Sequence, residues 1–304
     1  MSAPGKPPVV AHTRLELEAL LAERAGGGPV GLVPTMGALH EGHASLMRVA
    51  RAEVEAGPVV VSIFVNPLQF GPDEDLDRYP RTLEMDLKVC EREGVDLVYA
   101  PDVEDVYPTW PEQPAVTIDP GPLADVLEGR VRPGHFRGVL TVVAKLLGLV
   151  RPDVAVFGQK DYQQLVLIRR MVADLCLPVR VVGAETEREP DGLALSSRNR
   201  FLNAEQRIEA AVLHRAIVAA QEAGTYGLEP ALGAARAELR TATLVDLDYL
   251  TITTPDLAAL PEASEAGTRA RILLAARLGA TRLIDNAPLV LGQTVPTGPT
   301  EGRL

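Results

Sequence analysis

"VPTMGALHEGHASLMRVAR", residues 33 to 51, decides how the chain folds. An apolar run, "PVGLV", ends at Val33, and Leu46, Met47 and Ala50 then recur at helical spacing. The run reads as a strand buried on both faces, and the spacing reads as a helix with one apolar side. Strand, polar turn and helix in this order open a βαβ unit. His40 and His43, two of the five histidines in the chain, stand at the turn with Gly42 between them.

The alternation continues along the chain. "PVVVSIFV" to Val65, "VDLVYA" to Ala100, "DVAVFG" to Gly158 and "PVRVVGA" to Ala184 read as further strands buried on both faces. Helical faces lie between them: Leu83, Leu87 and Cys90; then Val139, Val142, Val143, Leu146 and Leu147; then Leu165, Ile168, Arg169 and Val172. This predicts an α/β fold, a Rossmann-like doubly wound parallel sheet with helices on both faces. After "SSRNRFLNAEQR" the pattern changes to an Ala-rich helix from Ala204 to Ala223 and a second helix over "EPALGAARAELR". Strands in "VDLDYLTITT" and "TRARILLAARLGATRLIDN" follow. A smaller C-terminal α+β domain with an antiparallel sheet is expected. The expected division is residues 1–188, residues 189–290 as a lid domain hinged near Arg188 to Asp191, and a disordered tail at 291–304, rich in Gly, Pro and Thr.

Composition excludes some functions. A net charge of -11 over 304 residues argues against general nucleic-acid binding, which needs concentrated Lys and Arg. It leaves room for a local basic pocket. Cys90 and Cys176, both expected in helices, imply no disulfide framework and fit a reducing cytoplasm. "MSAPGKPPVV" has no long apolar core, and Lys145 interrupts "VLTVVAKLLGLV", so neither a signal peptide nor a membrane span is expected. Lysine occurs only four times, which singles out Lys160 in "FGQKDYQQ".

In open parallel sheets ligands bind beyond the carboxyl ends of the strands. "PTMGALHEGH", "NPLQFGP" and "GQKDYQQ" occupy such places, and "DGLALSSRNR" joins the two domains. For His40 and His43 three readings stand: packing, metal ligation, or an anion site at a helix N-terminus, where free N–H groups and the dipole attract negative charge. "HEGH" is one residue short of the His-Glu-x-x-His zinc spacing, and a third ligand would have to come from afar, for example His135. "GGGPVG" fits Gly-x-Gly-x-x-Gly at Gly26, Gly28 and Gly31 but precedes a strand, so it reads as a turn, and no P-loop sequence occurs. Lys160 with Ser196, Ser197 and Arg198 forms a second group of phosphate-binding types.

"VPTMGALHEGHASLMRVAR", "VVVSIFVNPLQFGPDEDLDRYPRT", "GHFRGVLTVVAKLLGLVRPDVAVFGQKDYQQLVLIRRMVADL" and "REPDGLALSSRNRFL" together resemble the pantoate–β-alanine ligases, a family of the HIGH-type nucleotidyltransferase superfamily. The likeness runs in order from about residue 30 to 290. It implies a two-step reaction with ATP. The carboxylate of D-pantoate attacks the α-phosphorus, giving pantoyl adenylate and pyrophosphate; the amine of β-alanine then attacks the activated carbonyl, giving pantothenate and AMP.

Carried over by position, the resemblance implies ATP-binding residues Met36, Gly37, Ala38, Leu39, His40, Glu41, Gly42 and His43 in the first loop, with His43 as proton donor. It adds Gly158, Gln159, Lys160 and Asp161 in the second, then Glu187, Leu195, Ser196, Ser197 and Arg198, of which the last four replace the superfamily's mobile Lys-Met-Ser-Lys-Ser loop. His40, His43, Lys160, Ser196, Ser197 and Arg198 carry the catalytic role. Gln69, Gln164, Asn66 and Arg132 bind pantoate. Gln159 stands where the family has Glu, Leu195 where it has Met, and Glu187 where it has Val; Met85, beside Asp86, takes a position that is acidic in some relatives. No protein ligand for a metal is therefore expected, and Mg²⁺ is expected on the ATP phosphates. A homodimer is also implied.

Overall fold

The structure, a computed structural model, describes residues 6–23, 27–71, 76–261 and 265–292. It divides into two compact units between Glu187 and Arg188. In the first, strands β1 (Val9–Ala11), β2 (Gly31–Thr35), β3 (Val59–Ile63), β4 (Leu97–Tyr99), β5 (Val154–Gly158) and β6 (Arg180–Ala184) form a parallel sheet in the order β1-β4-β3-β2-β5-β6. Its helices are α1 (Arg14–Glu23), α2 (Glu41–Val54), α3 (Leu83–Arg92), α4 (Val103–Val106), α5 (Glu128–Val131), α6 (His135–Val150) and α7 (Tyr162–Asp174).

Period-two alternation sorts the strand residues onto two faces. Val33, Val59, Val61, Val98, Val154 and Val156 pack with Met47, Ala50 and Val54 of α2 and with Cys90 of α3. Leu32, Val60, Leu97 and Ala155 point to the opposite face and are fully buried. Covering both faces is what makes these strands continuous apolar runs; each buried Val or Leu contributes roughly 1.5–3 kcal/mol before chain entropy is counted. From β2 the chain steps to β3 and β4 on one side, and it lays β5 and β6 on the other. The order therefore reverses between β2 and β5, the place where an open α/β sheet leaves a crevice at its carboxyl ends.

The second unit holds α8 (Ala204–Ala210), α9 (Val212–Ala223), α10 (Leu228–Leu239) and the antiparallel strands β7 (Val245–Thr253), β8 (Thr268–Leu278) and β9 (Thr281–Leu291), with β8 in the middle. Ile272, Leu274, Ala276 and Leu278 of β8 form one core with Val212, Leu213, Ala216 and Ile217 of α9 and with Ala231 and Ala235 of α10.

Several local expectations differ from what is found. Strand β1 lies at the sheet edge and was not expected. Strand β6 is not buried on both faces, because it is the other edge: Arg180 is exposed and only Ala184 is buried. The helix expected over Ala204–Ala223 is broken at Ala211, where α8 ends and α9 begins. Cys90 lies on α3, but Cys176 is exposed beyond the end of α7 with φ +51°. Leu291, expected in the tail, is the fully buried last residue of β9; residues 293–304 lie outside those described, as does Gly26. No helix among the described residues is long and apolar enough to cross a membrane.

Candidate active site

The loop leaving β2 is held from two sides. The Thr35 hydroxyl donates to the Ser62 carbonyl on β3 at 2.7 Å. Gly37 (φ +84°) and Ala38 (φ +52°) then turn the backbone through the left-handed region, which costs a residue with a Cβ about 1 kcal/mol. The compensation comes from Asp86 on α3. Its buried carboxylate accepts the N–H groups of Ala38 at 3.1 Å and Leu39 at 2.8 Å, and the Thr82 hydroxyl at 3.3 Å. A Cβ on Gly37 would lie 3.0 Å from the same carboxylate.

His40 is the N-cap of α2. Its Nδ1 accepts the Gly42 N–H at 3.1 Å, while Nδ1 of His43 accepts the His40 N–H at 3.3 Å. The two histidines thus make a reciprocal capping box, with ring centroids 4.2 Å apart. Gly42 is required by space: a Cβ there would sit 2.9 Å from Cε1 of His40. The free amides expected at this helix start are partly used, since those of Gly42 and His43 already have partners.

Both rings use Nδ1 as an acceptor, so in their neutral forms both carry hydrogen on Nε2. Burial, then the neighbouring His40, pushes the His43 pKa down to about 3, and Lys160 adds to this while Asp161 opposes it. Burial and then Lys160 lower His40 as well. At neutral pH the pair offers uncharged N–H donors. His135 is engaged at both nitrogens, with the Gln69 carbonyl at 2.8 Å and Arg132 at 3.0 Å. Among the described residues no group of three His, Cys, Asp or Glu side chains is placed to hold a metal.

Across the reversal point, β5 ends in the turn Gln159–Asp161. Lys160 lies 3.7 Å from Asp161 and close enough to His40 and His43 to depress both. Asp161 precedes α7 without capping it through its side chain. The Gln159 amide donates to the Gly183 carbonyl at 3.0 Å and to Glu185 at 2.8 Å, tying this turn to the end of β6. Glu187 adds to the field on Arg48, whose main partner is Glu41 at 2.5 Å. Gly158 ends β5, and Met36 opens the loop after β2.

Gln69 ends a short turn after β3, buried, with its Nε2 2.8 Å from the Met36 sulfur. The Gln69 carbonyl accepts from His135 and, at 3.5 Å, from Arg132. Of the adjacent glutamines, Gln163 is buried and saturated: it accepts the Glu128 N–H at 2.9 Å and donates to the carbonyls of Leu123 and Val126 at 2.8 and 2.9 Å. Gln164, half-buried, makes no such bonds among the described residues.

Leu195, Ser196, Ser197 and Arg198 belong to the second unit. Ser196 caps the turn Ser197–Phe201 by accepting the Arg198 N–H at 3.2 Å, and Arg198 is exposed. Asn199 anchors this loop to Glu189 at 2.8 Å and to the Ala194 carbonyl at 3.0 Å. The segment expected as a hinge is tied into this unit: Arg188 makes a two-pronged pair with buried Asp285 at 2.7 and 2.9 Å, and Arg207 binds both Glu189 and Asp191.

A family model described as pantoate-beta-alanine ligase matches residues 9–288. The chain belongs to the pantoate–β-alanine ligase family. Among relatives in this ligase family, a pantothenate synthetase of Nocardioides sp. is 69% identical over 296 residues, covering 96% of this chain and 88% of its own. That of Mycolicibacterium smegmatis is 54% identical, covering 89% and 84%. The crystal structure of the Thermus thermophilus ligase superimposes with a TM-score of 0.83 at 49% identity, covering 91% of this chain and 98% of that one. A Francisella tularensis ligase, solved in complex with β,γ-ATP and β-alanine, gives a TM-score of 0.74 at 33% identity, covering 95% and 100%.

Asp86, Tyr107 and Gln163 were not singled out by the sequence. Only Asp86 left a local trace, as an acidic residue near the start of an amphipathic helix.

Proposed function

We infer that this chain condenses D-pantoate with β-alanine, using ATP, through a pantoyl adenylate, and releases AMP and pyrophosphate. The observation that carries this reading is the pair of neutral histidines locked at the start of α2, with Lys160 beside them, on a chain of the pantoate–β-alanine ligase family.

Attack of a carboxylate on the α-phosphorus brings together two anions, so the protein must position them and offset charge; no covalent intermediate on the protein is needed. The Nε2–H groups of His40 and His43 donate to phosphate oxygens from fixed positions, without reorganising as charge moves onto pyrophosphate. Lys160 supplies the positive charge, and Asp161 sets where the ammonium rests. The backbone from Met36 to Leu39 lies along the nucleotide, held by Asp86. Gln69 and Gln164 grip pantoate, with Arg132 facing its carboxylate. By the family likeness, Ser196, Ser197 and Arg198 are further phosphate-binding groups. His43 acts here as a neutral donor, which fits its depressed pKa better than release of a stored proton.

Among the described residues no group of three His, Cys, Asp or Glu side chains is placed to hold a resident metal. The Met85 side chain has no oxygen, and the Asp86 carboxylate is occupied by backbone amides. In this proposal Mg²⁺ enters with ATP, held on its phosphates. A cytoplasmic homodimer completes the proposal, on the family likeness.

The test is product formation from ATP, Mg²⁺, D-pantoate and β-alanine. Pantothenate, AMP and pyrophosphate should appear in equal amounts at turnover; omission of ATP or pantoate should stop all three, and omission of β-alanine should stop the reaction after at most one pyrophosphate per site. ADP as product, or AMP release that ignores pantoate, would overturn the reading.

A further inference from the structure

Gln69 does not choose its own orientation. The chain of hydrogen bonds behind it begins at two backbone groups whose roles are fixed: the Leu68 N–H, a donor only, and the Gly138 carbonyl, an acceptor only. Asn66 lies between them. Its Oδ1 accepts from Leu68 at 3.3 Å, and its Nδ2 donates to Gly138 at 3.1 Å, so its amide can sit only one way round. The second hydrogen of Nδ2 points to Gln69 Oε1 at 3.1 Å, which makes that atom the acceptor and turns the Gln69 NH₂ the other way. Helix α6 comes close enough for this because residue 138 is glycine: a Cβ there would lie 2.2 Å from the Leu68 carbonyl oxygen.

Tyr107 closes the chain. Its hydroxyl donates to Asn66 Oδ1 at 2.9 Å, taking the last acceptor position of that amide. The ring is 1% exposed, wedged near Phe64 and beneath the Lys145 ammonium, 5.4 Å from its centroid. Asn66, itself 1% exposed, thereby has both donors and both acceptor positions engaged inside the protein. It has nothing left to offer a substrate.

We propose that Tyr107 and Asn66 are positioning residues that hold Gln69 with its carbonyl inward and its NH₂ outward, so that this part of the pantoate pocket can only donate. The proposal rests on the reading of Gln69 as a pantoate-binding residue. One Nε2 hydrogen faces the Met36 sulfur, a weak acceptor, and the amide serves ligands that present a hydroxyl or carboxylate oxygen. An ammonium at that place meets a donor and is rejected, so the amine of β-alanine is not accepted where a pantoate hydroxyl is.

Steady-state kinetics of the full chain with Gln69→Ala, Tyr107→Phe and Asn66→Asp test this, with KM measured separately for pantoate and ATP. Tyr107→Phe keeps the ring packing, so it remains informative if Asn66→Asp does not fold. It should raise the pantoate KM roughly three- to tenfold, the worth of one hydrogen bond, with the ATP KM unchanged. Asn66→Asp, which cannot donate to Gln69, should raise it further. A raised pantoate KM in Gln69→Ala alone, with wild-type values in the other two, overturns the proposal and leaves the reading of Gln69 standing. A wild-type pantoate KM in Gln69→Ala overturns both. Parallel rises in both KM values for Tyr107→Phe would mark the tyrosine as packing only and also overturn the proposal.

Discussion

Nδ1 of His43 accepts the backbone N–H of His40, three residues earlier, at 3.3 Å. That bond ends the choice between charged and neutral imidazole at neutral pH: the lone pair is in use, and burial disfavours the cation. The capping box that fixes both rings uses only their Nδ1 atoms, so under the proposed function the Nε2–H groups are the ones that serve phosphate.

The histidines should leave a mark on acid stability. His43 binds its proton at about 3 in the fold and at the ordinary value of 6.5 when unfolded. Between those values the unfolded chain holds the extra proton, so stability rises with pH across this window and is lost as pH falls through it. From pH 6.5 to 5 the contribution is up to about 2 kcal/mol. Denaturant melts of wild type and His43→Gln should show a shallower acid slope in the variant. NMR of the wild-type imidazoles should show His43 not titrating between pH 5 and 8, and an ordinary titration there would refute the neutral-donor assignment.

Gly42→Ala places a methyl against His40 Cε1, at 2.9 Å before relaxation. The ring has to move, and the cap loosens. We expect folding to survive, with kcat/KM for ATP lowered roughly 10- to 100-fold, of the size seen when a positioned group is displaced. A variant with wild-type ATP kinetics would show that the placement of His40 is unimportant.

Asp86→Ala removes the acceptor for two amides and leaves Ala38 in a left-handed turn without support. The cost should be about 1–3 kcal/mol in stability, together with a raised ATP KM. Asp86→Asn keeps an oxygen for one amide and should fall between. Equal stability for all three proteins would contradict the role given to this carboxylate.

The neighbouring glutamines should separate cleanly. Gln163→Ala breaks three buried hydrogen bonds and should lower the melting temperature. Gln164→Ala should leave melting unchanged and raise the pantoate KM. The opposite pattern in a melting scan and a pantoate titration would reverse the two assignments.

What could be read in advance follows from the range of the interactions. Strands β2, β3 and β5 were legible because two covered faces force apolar side chains at every position. Strand β1 was not: three residues after a Pro-containing leader carry too little pattern, and only pairing with β4 makes them a strand. The break at Ala211 falls inside a run of good helix formers, where composition gives no stop signal. In the candidate site, His40, Gly42 and His43 were legible because their geometry is local to one helix turn. Tyr107 lies 41 residues from Asn66, and Asp86 lies 48 from Ala38. Contacts of that span depend on how the sheet stacks its helices, and no spacing rule reports them.

The most direct test of the central claim is exchange of labelled pyrophosphate into ATP with D-pantoate present and β-alanine absent. Reversible adenylation of pantoate at this site predicts exchange that requires pantoate, proceeds without β-alanine and is lost in His43→Ala. Exchange that needs β-alanine, or that continues unchanged in His43→Ala, would contradict the account.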